Sequence, residues 1–307
     1  ISGSQPEMVT FGMGSAEIGV MDRNLGALSG SGIPGSPEAA LGSYGLYYQW
    51  GRKDPSMGPP TYDYLPMSTA TSEYYDGYGD LQQSTGVINI PRPKISDAVQ
   101  NPMYLILPTE WPSYYQFDWL FDRKDNLWGE QTTAAVKTIY DPCPEGYTVP
   151  RDEINLLFAN WEKTGNTYGV SINDGDLFFP YAGYKGVDRG MSSLVSAWKY
   201  VGSKGDYMSS KILPSNHRSR TYVTSSSSWD ETGADGGSAS YSAPNNYLID
   251  GTNRRTAGSV RCVKEKNGLG SIYMGVYFDY DYYFEGETVG GTVEARAQGF
   301  DIEALSL

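Results

Sequence analysis

The 307-residue sequence is poor in the side chains that most metal and nucleophilic chemistry requires. It holds one histidine, His217, and two cysteines, Cys143 and Cys262. A single imidazole excludes most histidine-based catalysis, and two thiols are too few for a cysteine zinc site. No apolar run approaches the roughly 18 residues of a membrane span. No signal peptide is found at Ile1, so the chain is expected to be either a mature product, since secreted proteins lose that segment, or an artificially trimmed sequence.

Positive charge is also scarce. The chain has 23 Lys and Arg against 36 Asp and Glu, a formal net charge of −13. Proteins that bind the phosphate backbone do so through basic patches, so nucleic acid is not expected as a partner. An acid excess is typical of a protein that stays soluble outside the cell.

Glycine, proline and tyrosine are plentiful, with 37 Gly, 18 Pro and 26 Tyr. This composition predicts a turn-rich, largely β protein. The clearest helix is predicted after Pro150, with Asp152 as its cap and Gly165 as its end. Its apolar residues recur at helical spacing: Ile154, Leu157, Phe158 and Trp161. Strands are predicted at 103–107, 177–184, 220–223, 247–249 and 259–263.

The chain divides into three predicted parts. Residues 1–18 form an N-terminal strand or linker, and residues 19–266 form the main domain. Residues 267–307 carry seven acids against one base, Arg296. In this acidic β extension, strongly alternating residues 272–284 are expected to pair with 288–297 as a hairpin.

The two cysteines lie at the edges of predicted elements. Cys143 sits in Asp-Pro-Cys-Pro-Glu before the helix, and Cys262 sits in the strand Ser-Val-Arg-Cys-Val. If they are bonded, the crosslink ties the middle of the chain to its last core strand. Closing so long a loop stabilises the fold by about 5 kcal/mol on the chain-entropy view. Such a bond persists only in an oxidising compartment.

Four ordered stretches together resemble one family. They are Val-Met-Asp-Arg-Asn-Leu-Gly-Ala at 20–27, Tyr-Tyr-Gln-Trp-Gly-Arg-Lys-Asp-Pro at 47–55, the stretch from Lys-Thr-Ile-Tyr to Tyr-Thr-Val-Pro at 137–150, and Ser-Val-Arg-Cys-Val at 259–263. They resemble the Fibrobacter succinogenes major paralogous domain, which is common in surface proteins of the Bacteroidetes. The resemblance spans about residues 19–265.

The resemblance implies an α+β fold similar to that of C-type lectins and formylglycine-generating enzymes, with small antiparallel sheets, few helices and long loops. It also implies a surface protein, because such domains often end fimbrillin-like pilus proteins as tip adhesins. One departure is visible. Residues 206–210, Asp-Tyr-Met-Ser-Ser, stand where the family shows Tyr-Trp-Ser-Ser, so the local packing is expected to differ there while the fold is retained.

No cofactor is expected, and calcium is the one metal that the sequence leaves undecided. The Glu-Pro-Asn, Gln-Pro-Asp and Trp-Asn-Asp triplets of calcium-dependent lectins do not occur. Calcium takes six to eight oxygen ligands, and Asp/Asn/Gly turns usually serve only as turns. Side chains that could supply some of those oxygens are Asp230, Glu231, Asp235, Asn245, Asn246 and Asp250; residues 173–176 form another carboxylate-rich turn.

Catalysis is not expected. Asp141 and Glu145 flank Cys143 and disfavour a thiolate there, while Cys262 lies in an apolar strand. A disulfide is therefore favoured over a reactive cysteine. No carboxylate is spaced to orient His217 as a base, and 36 acids are too many to single out a glycosidase pair.

A ligand surface is predicted in residues 202–257, the most polar and irregular part of the main domain. Tyrosine gives large contact area at low entropic cost, and Ser, Gly and Asn give adaptable hydrogen bonds. Core packing of the same rings is an equally good alternative. The predicted contact residues are Tyr222, Trp229, Asp230, Tyr241, Asn245, Asn246 and Tyr247.

The residues and the family resemblance together predict two alternative functions. The first is a non-enzymatic adhesin on the bacterial cell surface, at the tip of a pilus, binding a glycan or a surface protein through 202–257. The second is a structural pilus cap or assembly module that joins other pilus subunits by β-strand addition through the 267–307 tail.

Overall fold

Short strands and a few short helices make up the described part of the computed structural model of the chain. The residues that the structure describes are 6–12, 17–30, 32–56, 87–110, 118–129, 137–165, 167–187, 196–199, 201–212, 219–225, 230–232, 238–240, 247–252, 254–265, 272–278 and 291–297. The chain divides into two units, Ile1–Lys264 and Glu265–Leu307.

The described elements have the following bounds. The helices are α1 (Pro37–Tyr44), α2 (Ile95–Gln100) and α3 (Glu153–Asn160), and Asn173–Gly175 forms one 3-10 turn. The strands are β1 (Met8–Phe11), β2 (Ile18–Met21), β3 (Tyr47–Gln49), β4 (Val87–Ile90), β5 (Leu105–Pro108), β6 (Tyr147–Thr148), β7 (Lys163–Gly165), β8 (Gly169–Ile172), β9 (Leu177–Pro180), β10 (Tyr184–Val187), β11 (Ser196–Lys199), β12 (Lys204–Ile212), β13 (Ser219–Ser225), β14 (Asp230–Thr232), β15 (Ser238–Ser240), β16 (Tyr247–Thr252), β17 (Ala257–Ser259), β18 (Val263–Lys264), β19 (Ile272–Phe278) and β20 (Gly291–Ala297).

The strands of the first unit form several small sheets. The largest has the order β11-β10-β17-β12-β13-β16, with β3 also paired to β17, and a second has the order β1-β2-β18-β6. Pairing is mainly antiparallel, with parallel contacts between β4 and β5 and between β12 and β17. The described residues therefore form a mixed α+β fold with few helices.

Helix α3 confirms the helix predicted after Pro150 but is shorter than expected. Ile154, Leu157 and Phe158 are buried, and Asp152 occupies the N-cap position without a side-chain cap bond. The prediction that the helix continues to Gly165 is wrong, because Trp161 is extended and residues 163–165 form β7. Pairing with β8 satisfies the backbone there, which outweighs the helical periodicity of the sequence.

The four stretches that carry the family resemblance meet at β17 and β18. Strand β17 pairs with β3 of the second stretch. Strand β18 pairs with β2, where Val263 lies opposite Val20 of the first stretch, and with β6 of the third, where Val263 lies opposite Thr148. The backbone thus joins each of the first three stretches directly to the segment that includes the fourth.

The two cysteines are bonded, as the sequence predicted. Cys143 and Cys262 are 119 positions apart, and both are buried. The bond joins the loop before β6 to the residue before β18, so it reinforces a backbone contact that the β6–β18 ladder also makes.

A polar network holds the cysteine loop in place. The buried carboxylate of Asp141 accepts hydrogen bonds from the Cys143 N–H at 2.8 Å, the Thr148 hydroxyl at 2.7 Å and the Val149 N–H at 3.0 Å. Lys137 Nζ donates to the carbonyls of Cys143 and Tyr147, both at 2.6 Å. These bonds fix the loop independently of the disulfide, because none of them involves sulfur.

The prediction that residues 202–257 form an irregular ligand surface is wrong at both ends of that range. Residues 204–212 form β12, in which Tyr207 and Met208 are fully buried, and residues 254–260 are buried as well. The Tyr207 hydroxyl donates to the Pro180 carbonyl at 2.7 Å, and its ring meets Phe179 edge-on at 5.0 Å. The strands predicted at 220–223 and 247–249 are confirmed as parts of β13 and β16.

The second unit contains the predicted hairpin. Strands β19 and β20 pair antiparallel over seven residues each, from Ile272 opposite Ala297 to Phe278 opposite Gly291. The rest of the range predicted for the first strand, 279–284, lies outside the described residues.

Removing the disulfide tests how much this crosslink contributes to the free energy of unfolding. In a Cys143→Ala/Cys262→Ala variant, we expect the free energy of unfolding to fall by about 3–5 kcal/mol, because the unfolded chain regains a loop of 119 positions. Urea denaturation followed by tryptophan fluorescence measures the loss. Wild-type protein reduced and alkylated in denaturant, then refolded, is the matched control. A loss below about 1 kcal/mol in both samples would contradict a stabilising role for the bond.

Candidate functional site

A buried polar cluster of the first unit lies around Arg261, inside the core. This guanidinium is 1% exposed and donates to Asn24 Oδ1 at 3.0 and 2.7 Å and to the Phe178 carbonyl at 2.7 Å. It also lies 4.5 Å from the centre of the Phe179 ring. Burial lowers the pKa of Arg261 to about 10. Neutral oxygens and an aromatic ring surround this cation. We therefore interpret the cluster as a part of the folded core and not as a binding or catalytic site.

A second buried arginine fixes the segment 118–129. Arg254 is fully buried and donates to Asp118 Oδ2 at 3.0 Å and Asp125 Oδ1 at 2.7 Å. Its guanidinium lies 4.2 Å from the centre of the Trp50 ring. Burial raises the pKa of Asp118, and the nearby Arg254 opposes that rise. The ion pair attaches this segment to the turn between β16 and β17, which carries Arg254.

A lysine and a serine meet inside the largest sheet. Lys185 Nζ donates to Ser56 Oγ at 3.3 Å, and each residue is 3% exposed. Burial lowers the pKa of Lys185 to about 8. A lysine of lowered pKa beside a serine is one arrangement that can activate a hydroxyl. Here the burial of both residues keeps substrates away. No local pattern in the sequence reveals this pair, because 129 positions separate the two residues.

Two pairs of strands, β13–β16 and β14–β15, lie within the range predicted for the ligand surface. Strands β13 and β16 pair antiparallel, with Thr224 opposite Tyr247 at one end of the ladder. Between them, β14 and β15 form a second two-stranded ladder that begins with Asp230 opposite Ser240. Residues 226–246, called here the distal excursion, therefore leave and re-enter the sheet at neighbouring backbone positions.

The predicted contact residues fall at or near this excursion. Tyr222 lies in β13, opposite the buried Tyr207 on one side and Ile249 on the other. Tyr247 is the first residue of β16, and Asp230 is the first residue of β14. The remaining predicted contacts lie outside the described residues: Trp229, Tyr241, Asn245 and Asn246.

The calcium ligands considered from the sequence are only partly described. Asp230 and Glu231 lie in β14, and Asp250 lies in β16 opposite Thr221. Asp235, Asn245 and Asn246, like His217, lie outside the described residues. In the described part of the chain, no group of three or more His, Cys, Asp or Glu is arranged to hold a metal ion.

The turn at Asn173–Gly175 is closed by its own side chains. Asn173 has a positive φ of 51°, and its amide donates to Asp176 Oδ2 at 2.5 Å. That contact uses the carboxylate within the turn, as the sequence-based interpretation of a simple turn requires.

No protein-family model, curated protein or solved structure matches this chain. The resemblance to the Fibrobacter succinogenes major paralogous domain therefore stays a prediction. Within the described ranges, no helix is long and apolar enough to span a bilayer.

Replacing Arg254 tests whether its ion pair holds the 118–129 segment. In Arg254→Met we expect a loss of about 3–5 kcal/mol, because the buried Asp118 carboxylate keeps its desolvation cost without its cation. The double variant Arg254→Met/Asp118→Asn should recover part of that loss. Urea denaturation of the wild type, both single variants and the double variant measures the coupling. Strictly additive losses would show that the two side chains act independently.

Replacing Lys185 tests the cost of its burial. The wild-type protein keeps Lys185 charged below about pH 8 in the folded state and below about pH 10.5 in the unfolded state. Its unfolding free energy should therefore rise between these pH values, by about 3 kcal/mol for a shift of this size. Lys185→Met should accordingly be more stable than the wild type at pH 7, and the difference should shrink by pH 10.

Thermal unfolding at pH 7 and pH 10 measures this dependence, with the exposed Lys53→Met as the matched control. A stability difference that does not change with pH would show that the buried ammonium carries no desolvation cost.

Proposed function

We propose that this protein is a non-enzymatic adhesin domain whose distal excursion, residues 226–246, contacts the ligand. The observation that carries the proposal is the β13–β16 ladder, which places the two ends of residues 226–246 at neighbouring backbone positions. This segment includes most of the seven predicted contact residues. Five of the seven lie within the excursion, namely Trp229, Asp230, Tyr241, Asn245 and Asn246. Tyr247 follows it directly, and Tyr222 lies in the strand that leads to it.

The different roles of the core and the distal excursion support this proposal. The stretches that carry the family resemblance contain the disulfide, the strands that pair with β17 and β18, and the buried Arg261. We therefore interpret these stretches as the parts of the chain that hold the core together. Binding and catalytic residues are found disproportionately on connections that a rigid scaffold positions, and the distal excursion is such a connection.

The composition of this region indicates the ligand's chemistry. Residues 221–252 contain four acids and no Lys, Arg or His. Acidic ligands are disfavoured by a segment that carries acids and no bases, because like charges repel. Tyr and Trp faces, together with Ser and Asn hydrogen bonds, suit a neutral glycan or a protein surface. Calcium stays a candidate only as a contributor to that contact.

We also propose that the domain is extracellular, on a bacterial cell surface and at the tip of a pilus, with a C-type lectin-like fold. The buried disulfide supports an oxidising location. The small, largely antiparallel sheets and the few helices of the described residues support the fold. The pilus itself is proposed from the family resemblance.

A second candidate function is a pilus cap or assembly module acting through the C-terminal unit. Within the described residues, β19 and β20 pair only with each other. A two-stranded hairpin is marginal by itself, and its outer edges can accept another strand. The tail would then join a neighbouring subunit, and the first unit would keep its ligand.

Replacing the excursion tests the first proposal. We expect a variant with residues 226–246 exchanged for Gly-Asn-Gly to lose ligand binding and keep its fold, because the ladder up to Thr224 and Tyr247 is untouched. A glycan and protein array, probed with and without a calcium chelator, identifies the ligand. Binding to that ligand is then measured for both proteins, and thermal unfolding checks the fold.

The matched control is a chain truncated after Lys264, which removes the second unit alone. Its ligand binding should equal that of the full chain. Full binding by the excursion variant would refute the proposed site. Loss of subunit assembly in the truncated chain, with ligand binding intact, would support the second function for the tail.

A further inference from the structure

We draw no further inference here: the strongest candidate, the buried Lys185–Ser56 pair between β10 and the segment after β3, carries none because, with both residues 3% exposed, only the lowered pKa of Lys185 would indicate reactivity.

Discussion

Pairing of the segment 257–264 with three distant parts of the chain is the constraint on which the first unit depends. This short segment meets β3, β2 and β6 through backbone bonds and carries the cysteine that bonds Cys143. Each contact closes a loop of more than a hundred residues, so each is entropically costly when it forms alone. Formed together they share that cost, because one placement of the segment satisfies all of them. The disulfide then locks an arrangement that the ladders already define.

Two buried arginines restrict this arrangement of strands further. Arg261 reaches Asn24 and the Phe178 carbonyl, while Arg254 reaches Asp118 and Asp125. Burying a cation is expensive unless every donor finds an acceptor in good geometry. Apolar packing tolerates many arrangements, whereas a guanidinium fixed by several oxygens tolerates few. Our hypothesis is that these two arginines select the register in which β17 and β18 enter the sheets, more than they add net stability.

What the sequence could reveal depended on how local the signal was. The helix after Pro150, the hairpin at β19 and β20, and the cysteine pair could be predicted, because periodicity, alternation and the presence of only two thiols act within the sequence itself. Strand β12 could not be predicted, because its polar residues, such as Asp206 and Ser209, are typical of a loop. Their burial follows only from the sheet in which they lie. The Lys185–Ser56 contact and the early end of α3 at Asn160 likewise follow from tertiary partners. Composition indicated the range 202–257 for the ligand surface, and only the strand ends of β13 and β16 define the shorter distal excursion.

The pairing of Val20 with Val263 has a consequence for biosynthesis. A polypeptide leaves the ribosome from its amino end, so β2 emerges more than two hundred residues before the strand that completes its sheet. Neither the nascent core nor the crosslink can close during most of translation. The unit must therefore stay open until its final segment is released, and whatever environment receives the finished chain also decides whether its thiols become oxidised.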